Sequence, residues 1–411
     1  MGKFVKLHKI HTEDTIYTTS GIKYPLAKET INKEDINSLI DWLKTEPRLT
    51  MAEITKEFEY KWSNYIGTKY SVFVNSGSSA NLLMISTLIQ SGKLNSKKVI
   101  VPSVAWSTTI SPIIQFGLEP IMVDADKKTF GIDLNQTEEL LKNGDIGAII
   151  FVQVLGVPHY KDRLLELCKK YEVLLLEDAC AALGSSYEDG TMVGQVGDMS
   201  SFSFYFGHQF STIEGGMVNT DDEDLYHMLL MLRSHGWGKD LPEGLYKQKM
   251  IENNIDTFHE PFTFLVPGLN LRSTDLQAFI GCRQVEKANW ISEKRIRNHI
   301  EYAKQLDGHF EFQDWGNDNP CSISFGVLAK SEKHRKRVVS KLVENGVETR
   351  IFSAGNLGLH PFWKERYGEF HGEVADKIHS RGFFLPNYPE LKIKDVKFIS
   401  GLINIIGDKN G

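Results

Sequence analysis

The sequence predicts an α/β protein with a large, mostly parallel sheet and a second, smaller α/β domain. Three observations carry this. Short runs rich in β-branched or aromatic residues recur at Val72–Val74, Val99–Val101, Ile121–Val123, Ala148–Val154, Val173–Leu176, Phe202–Tyr205 and Met217–Asn219. Helical patterns such as Ala80–Gln90 and Tyr160–Tyr171 lie between several of them, an alternation that argues for strands in one sheet joined by helical crossovers. Beyond about residue 276 a shorter strand-and-helix series begins, and 411 residues are enough for two substantial cores.

Taken in order, residues 1–22 are polar and read as an N-terminal arm, 23–276 as the large domain, and 277–411 as the small one. In the small domain Ser322–Ala329 reads as a strand and His334–Glu344 as a helix stopped by Asn345-Gly346. Val396–Ile406 reads as a final helix with Asp395 as N-cap and Gly407 as stop. The charged, glycine-containing stretch Trp237–Glu260 reads as a mobile loop near the site.

Bulk properties narrow the function classes. A net charge of −6 with no basic tail argues against nucleic-acid binding. No apolar run approaches the length of about 18 residues that a membrane span needs. The start Met1-Gly2-Lys3-Phe4-Val5-Lys6 lacks the apolar core of a signal peptide, and Lys6 stands where myristoylation wants Ser or Thr. Cysteines stand at 168, 180, 282 and 321 with no Cys-x-x-Cys, which suits a reduced cytosol; no metal site is expected. No Gly-x-Gly-x-x-Gly follows the early strand, which disfavours a dinucleotide oxidoreductase.

Several segments carry chemistry. Asn75-Ser76-Gly77-Ser78-Ser79-Ala80-Asn81 follows a strand and opens a helix; small residues admit a ligand, and the helix N-terminus favours an anion. An ordinary glycine turn with a serine N-cap explains the same residues. Leu175-Leu176-Glu177-Asp178 is a buried strand ending in two acids. Such a carboxylate either caps the next helix or pairs with a cationic ring nitrogen. Trp106 stands just past a strand, as a core or interface residue or as a ring that stacks on a ligand. Arg233-Ser234-His235 is either a structural helix end or part of a site wall.

Together with Ser203-Phe204-Tyr205-Phe206-Gly207-His208-Gln209 leading to Glu214-Gly215-Gly216, and with Pro267-Gly268-Leu269-Asn270-Leu271-Arg272, these segments resemble the sugar aminotransferase (DegT/DnrJ/EryC1/StrS) family over nearly the whole chain. The resemblance implies the fold type I architecture of pyridoxal-phosphate-dependent aminotransferases. It implies a phosphate held by Gly77, Ser78, Ser79 and Ser203, and a pyridine nitrogen paired with Asp178. It further implies a ring stacked on Trp106, and an Asn270 that reaches the phosphate of a neighbouring subunit, hence a homodimer with shared sites. Ala181 departs from the pattern, because the family has Gln or Glu there.

The decisive departure is His208. Six residues before the Glu-Gly-Gly the family carries the lysine that tethers the cofactor, and here the residue is histidine. Lysine forms a Schiff base with an aldehyde; imidazole forms no stable one but moves protons near neutral pH. The chain therefore resembles the His-type 3-dehydratase branch, which acts on nucleotide-linked 4-keto sugars. One His-type group uses a cysteine-bound iron–sulfur cluster, but after residue 282 only Cys321 remains, which points to the branch using GDP-linked 4-keto-6-deoxy sugars. The implied cofactor is pyridoxamine 5′-phosphate, restored from pyridoxal 5′-phosphate by glutamate, with ammonia released. Two alternatives stay open at this point: an aminotransferase that has lost its lysine, and a non-catalytic relative that binds cofactor or sugar nucleotide.

Overall fold

A computed structural model describes residues 21–306 and 308–407; most of the expected N-terminal arm lies outside the described residues. The large sheet has seven strands: β1 (Tyr70–Val74), β2 (Lys98–Pro102), β3 (Glu119–Val123), β4 (Ala148–Val152), β5 (Leu174–Asp178), β6 (Met199–Ser203) and β7 (Gly216–Thr220). Their order across the sheet is β1-β7-β6-β5-β4-β2-β3. From β6 to β3 neighbouring strands are parallel, while β7 runs antiparallel to both β1 and β6.

β1, β2 and β4 carry apolar runs without alternation because helices cover both faces. Val72 and Val74 enter one buried cluster while Phe73 enters the other; Val99 and Val101 oppose Ile100 in the same way, and Ile150 opposes Ile149 and Phe151. A pleated strand sends successive side chains to opposite faces, so these runs serve two cores at once. The helix Gly77–Gln90 lies on one face, buried through Leu83, Met84, Ile85 and Leu88. On the other face the helix Glu53–Ile66 buries Phe58, Trp62 and Ile66.

The C-terminal part carries an antiparallel sheet in which β10 (Gly382–Pro386) lies between β8 (Ser324–Leu328) and β9 (Arg350–Ile351). Its core gathers Tyr302, Phe325, Val327, Phe383, Leu385 and Ile399. The helix Asp275–Val285 runs through residue 276 and packs Ala278 and Cys282 into the cluster that holds Phe58. The long helix Ala288–Leu306 follows it. No helix among the described residues is long and apolar enough to cross a membrane.

Several expectations are corrected. The strand expected over Ala148–Val154 stops at Val152, and the chain turns through Val154–Gly156 with φ of 53° at Leu155 and 89° at Gly156. The strand expected over Phe202–Tyr205 is Met199–Ser203; Phe204 leaves it to bond Gly215 instead. The stretch Trp237–Glu260 contains the helix Glu243–Glu252. Asp395 is not an N-cap. The last helix begins at Ile393, and Asp395 Oδ2 accepts from the Lys392 backbone N–H inside its first turn.

Candidate active site

The site forms where the parallel strands end and helices begin. Ser76 caps the helix Gly77–Gln90, accepting from the Ser79 N–H at 3.0 Å. The Ser79 hydroxyl donates to Asn75 Oδ1 at 2.5 Å, and the exposed Ser78 hydroxyl lies 2.9 Å from Thr108 Oγ1. Thr108 belongs to the helix Ser107–Gln115, whose N-cap is Trp106. Trp106 is 61% exposed, so it is neither a core residue nor packed against the sheet.

Gly77 has a steric reason. A Cβ there would stand 2.5 Å from Ser203 Cβ and 3.0 Å from Cys180 Sγ, so only glycine lets the helix start close over the ends of β5 and β6. This close approach brings Gly77, Ser78, Ser79, Ser203 and Asp178 into one place. At this helix start Gly77 is buried, Ser78 is exposed and the Ser79 N–H is taken by Ser76 Oγ; a helix N-terminus favours an anion.

Asp178 ends β5 and is buried. Its Oδ2 accepts from Thr109 Oγ1 at 2.6 Å and from Asn81 Nδ2 at 2.9 Å, and its Oδ1 accepts from the Cys180 N–H at 3.1 Å. Ser201 Oγ donates to Asn81 Oδ1 at 2.7 Å, which fixes the orientation of the Asn81 amide. Four elements thus aim one carboxylate. Asn81, Thr109 and Ser201 received no role from the sequence, although Asn81 stands in a segment that drew attention and Thr109 lies three residues past Trp106. Asn81 lies four residues beyond Gly77, one helical turn further along the same face. Burial, with Asp178 as the second cause, pushes the Cys180 thiol well up, so it stays protonated.

His208 sits on a loop anchored at both ends. Phe204 and Phe210 are fully buried and stacked, with ring centroids 5.4 Å apart and planes within 4°. Phe204 packs edge-on against Trp62, and the Thr212 N–H returns to the Phe204 carbonyl at 2.9 Å. Between these anchors the His208 ring is half-buried, and its Nδ1 is buried with no hydrogen-bond partner. Burial, and secondly the charge of Arg295, lower the imidazole pKa to about 4. The ring is therefore neutral at pH 7 and able to accept a proton.

Ala181 lacks the usual side chain, and the next residue after His208 comes to that place: Gln209 Nε2 donates to the Ala181 carbonyl at 2.5 Å and to the Cys321 carbonyl at 2.8 Å. Asn270 is exposed, and Arg272 Nε donates to its Oδ1 at 3.3 Å. Arg272 also reaches His235 Nε2 at 3.3 Å. Arg233 takes the structural role: its buried guanidinium pairs with Glu59 at 2.5 Å and with Asp240 at 3.3 Å. Among the described residues no group of three or more His, Cys, Asp or Glu side chains could hold a metal ion.

A model of the DegT/DnrJ/EryC1/StrS aminotransferase family matches residues 29–404. The chain belongs to this family. Within it, the chain is 36% identical to the GDP-4-keto-6-deoxy-D-mannose 3-dehydratase of Yersinia pseudotuberculosis, covering 94% of this chain and 98% of that one. The fold matches the Escherichia coli GDP-4-keto-6-deoxy-D-mannose 3-dehydratase solved with hydrated pyridoxal phosphate, with a TM-score of 0.85 and 29% identity over 93% of this chain and 99% of that one. It also matches a GDP-4-keto-6-deoxymannose 3-dehydratase with a trapped pyridoxal phosphate–glutamate geminal diamine, with a TM-score of 0.84 and 28% identity over 92% of this chain and 100% of that one. The fold is that of the pyridoxal-phosphate-dependent aminotransferases.

Proposed function

We propose that this protein is a 3-dehydratase that removes the C3 hydroxyl of a GDP-linked 4-keto-6-deoxy sugar. It uses pyridoxamine and pyridoxal 5′-phosphate, and glutamate is the amino donor. The observation that carries the reading is His208: a neutral imidazole with a buried, unpartnered Nδ1 stands where a tethering lysine would stand in the family's aminotransferases. The names of the similar proteins support the substrate, and the geminal diamine in one of them supports glutamate.

The residues present fit such a cofactor. The close approach at Gly77 and the N-terminal turn beside Ser203 suit its phosphate, held by Gly77, Ser78, Ser79 and Ser203. Asp178, supplied with donors from three residues, suits the ring nitrogen, and the exposed Trp106 indole is free to cover the ring. When bound, the cofactor supplies an amine that condenses with the sugar ketone and a conjugated ring that accepts electrons. His208 takes up a proton at the cofactor's C4′ carbon and delivers it to the departing C3 oxygen, because hydroxide without a proton is a poor leaving group. With histidine in place of lysine, position 208 offers no amine that would tether the cofactor. The balance is one sugar oxygen lost and glutamate converted to 2-oxoglutarate and ammonia. In a homodimer with shared sites, the exposed Asn270 would be the residue offered to the phosphate of a second copy. Its free cysteines suit the cytosol.

The test mixes the protein with pyridoxal phosphate, glutamate and GDP-4-keto-6-deoxymannose, and follows the sugar nucleotide by mass spectrometry. Loss of one oxygen with ammonia formed is the expected result. A 4-amino sugar would instead make the protein an aminotransferase and remove the proposed role of His208.

A further inference from the structure

We propose that Arg295 is a positioning residue for His208: its buried guanidinium joins the base-bearing loop to the C-terminal lobe and keeps a fixed cation behind the imidazole. The proposal rests on the reading of His208 as the group that moves the proton.

Arg295 lies in the helix Ala288–Leu306 and is 1% exposed. Its Nη1 donates to the carbonyls of Asn387 at 2.6 Å, Ile323 at 3.1 Å and Ser322 at 3.4 Å, and its Nη2 donates to the carbonyl of His208 at 3.4 Å. Among the described residues no carboxylate lies within ion-pair distance of it. Glu390 attracts it from beyond ion-pair distance, and at contact the buried cation is solvated by main-chain carbonyls; such a cation is expensive to keep, and an apolar residue would fill the space more cheaply. Arginine's planar fork, however, reaches several carbonyls from one point, which neither lysine nor an apolar side chain does.

The carbonyls it gathers come from three places that must keep register: the loop of His208, the entry to β8 and the exit of β10. The lobe side is itself locked. Asn387 Nδ2 donates to the Ser322 carbonyl and to Ser322 Oγ, both at 2.9 Å, and His299 Nδ1 lies 2.7 Å from that Oγ. Gln209 adds a second tie from the same loop, to the Cys321 carbonyl. His208 is thus held from behind by groups of the C-terminal lobe, while Phe204 and Phe210 hold the two ends of its loop.

Charge follows geometry. Arg295 keeps its proton at neutral pH even though burial lowers its pKa to about 10. The titratable groups around the imidazole are Tyr205 on its own loop, with ring centroids 6.5 Å apart, and Arg295 from the long helix. Cys321, beside Arg295, is a neutral thiol pushed up by burial to about 11. Arg295 therefore biases His208 toward its neutral, proton-accepting form.

The experiment compares Arg295→Met and Arg295→Lys in the cofactor-loaded enzyme. It measures kcat, KM and cofactor affinity, and the pH profile of kcat/KM. Arg295→Met is expected to lose kcat on the order of 10- to 100-fold, the usual penalty for a slightly misplaced catalytic group. Its KM and cofactor affinity stay unchanged, and the acid limb of its profile moves to higher pH. Arg295→Lys keeps the charge but not the fork, so its kcat falls while the acid limb stays in place. A residue that only docks the lobe would lower cofactor affinity and leave the limb where it is, and that result for Arg295→Met overturns the proposal. Should Arg295→Met not fold, Arg295→Lys decides alone, and wild-type kcat in that variant overturns it. His208→Asn separates the two readings. If it dehydrates the sugar at the wild-type rate, the role of His208 fails, whatever the Arg295 variants do.

Discussion

Thr109 Oγ1 donates to Asp178 Oδ2 at 2.6 Å, on the same oxygen that Asn81 Nδ2 reaches at 2.9 Å. The two donors come from different helices, so the carboxylate is clamped between them and presents its remaining acceptor capacity toward the site. A hydrogen bond to an ionised group is worth about 1.5–3 kcal/mol. Thr109→Val removes one such bond with little change in volume. It should lower kcat on the order of 10- to 100-fold if that energy is felt in the transition state. Steady-state kinetics check this; an unchanged kcat would mean that Asp178 is held without Thr109.

Gly77→Ala should weaken both the fold and cofactor binding. Its Cβ would meet Ser203 Cβ at 2.5 Å, and overpacking of this kind costs about 1–3 kcal/mol. Thermal melting and cofactor titration read the two effects. The double variant Gly77→Ala/Ser203→Gly removes the listening surface of that clash and should recover part of the melting temperature; no recovery would place the strain elsewhere.

Glu59 and Arg233 form a buried pair beside β1, the edge strand, with Glu59 Oε1 also accepting from the Phe73 N–H at 2.7 Å and Arg233 Nη1 donating to the Phe73 carbonyl at 3.1 Å. Arg233→Met leaves that carboxylate buried without its cation and should destabilise by about 3–5 kcal/mol. Adding Glu59→Gln should return part of the loss, because the stranded charge is gone. A denaturant double-mutant cycle measures the coupling, and strictly additive losses would contradict a paired role.

Acid should unfold the protein through its buried histidines. Burial pushes His159 down to about 4 and His299 down to about 3, both from an unfolded value of about 6.5. Between those values the unfolded chain binds protons that the folded one refuses. The contribution is complete above about pH 6.5, is lost as pH falls from there to the folded values at a slope of about 1.4 kcal/mol per pH unit for each histidine, and is wholly lost below them. Denaturant midpoints between pH 7 and pH 4, to a rough span, test this. His299→Gln should flatten the acid slope, and an identical slope in that variant would assign the acid loss to other groups.

The alternation of strands and helices was legible because β1, β2 and β4 are short runs dominated by apolar, mostly β-branched or aromatic residues, and such runs need no long-range information. Boundaries failed where tertiary contacts took over. Phe204 reads as strand, but its N–H leaves for Gly215 and its ring stacks on Phe210. Asp395 reads as a cap, but the helix starts two residues earlier and draws it into the first turn. In the site, Asp178 and His208 stood out because the family resemblance assigns roles to those two positions and His208 replaces the family's lysine. Asn81, Thr109, Gln209 and Arg295 did not, because polar residues in a helix or loop look alike until their partners are known.

By itself the sequence determined the layered α/β architecture, the family, and the replacement of a tethering lysine by His208. Each of these depends on the identity and local spacing of residues. Only the tertiary structure decided which groups hold Asp178, why position 77 must be glycine, and that Gln209 arrives beside Ala181. It alone set a buried cation behind His208. Apart from the Cys180 N–H on Asp178, those relations join residues 28 or more positions apart in the chain, and long-range contacts of that kind are fixed by packing rather than by local pattern.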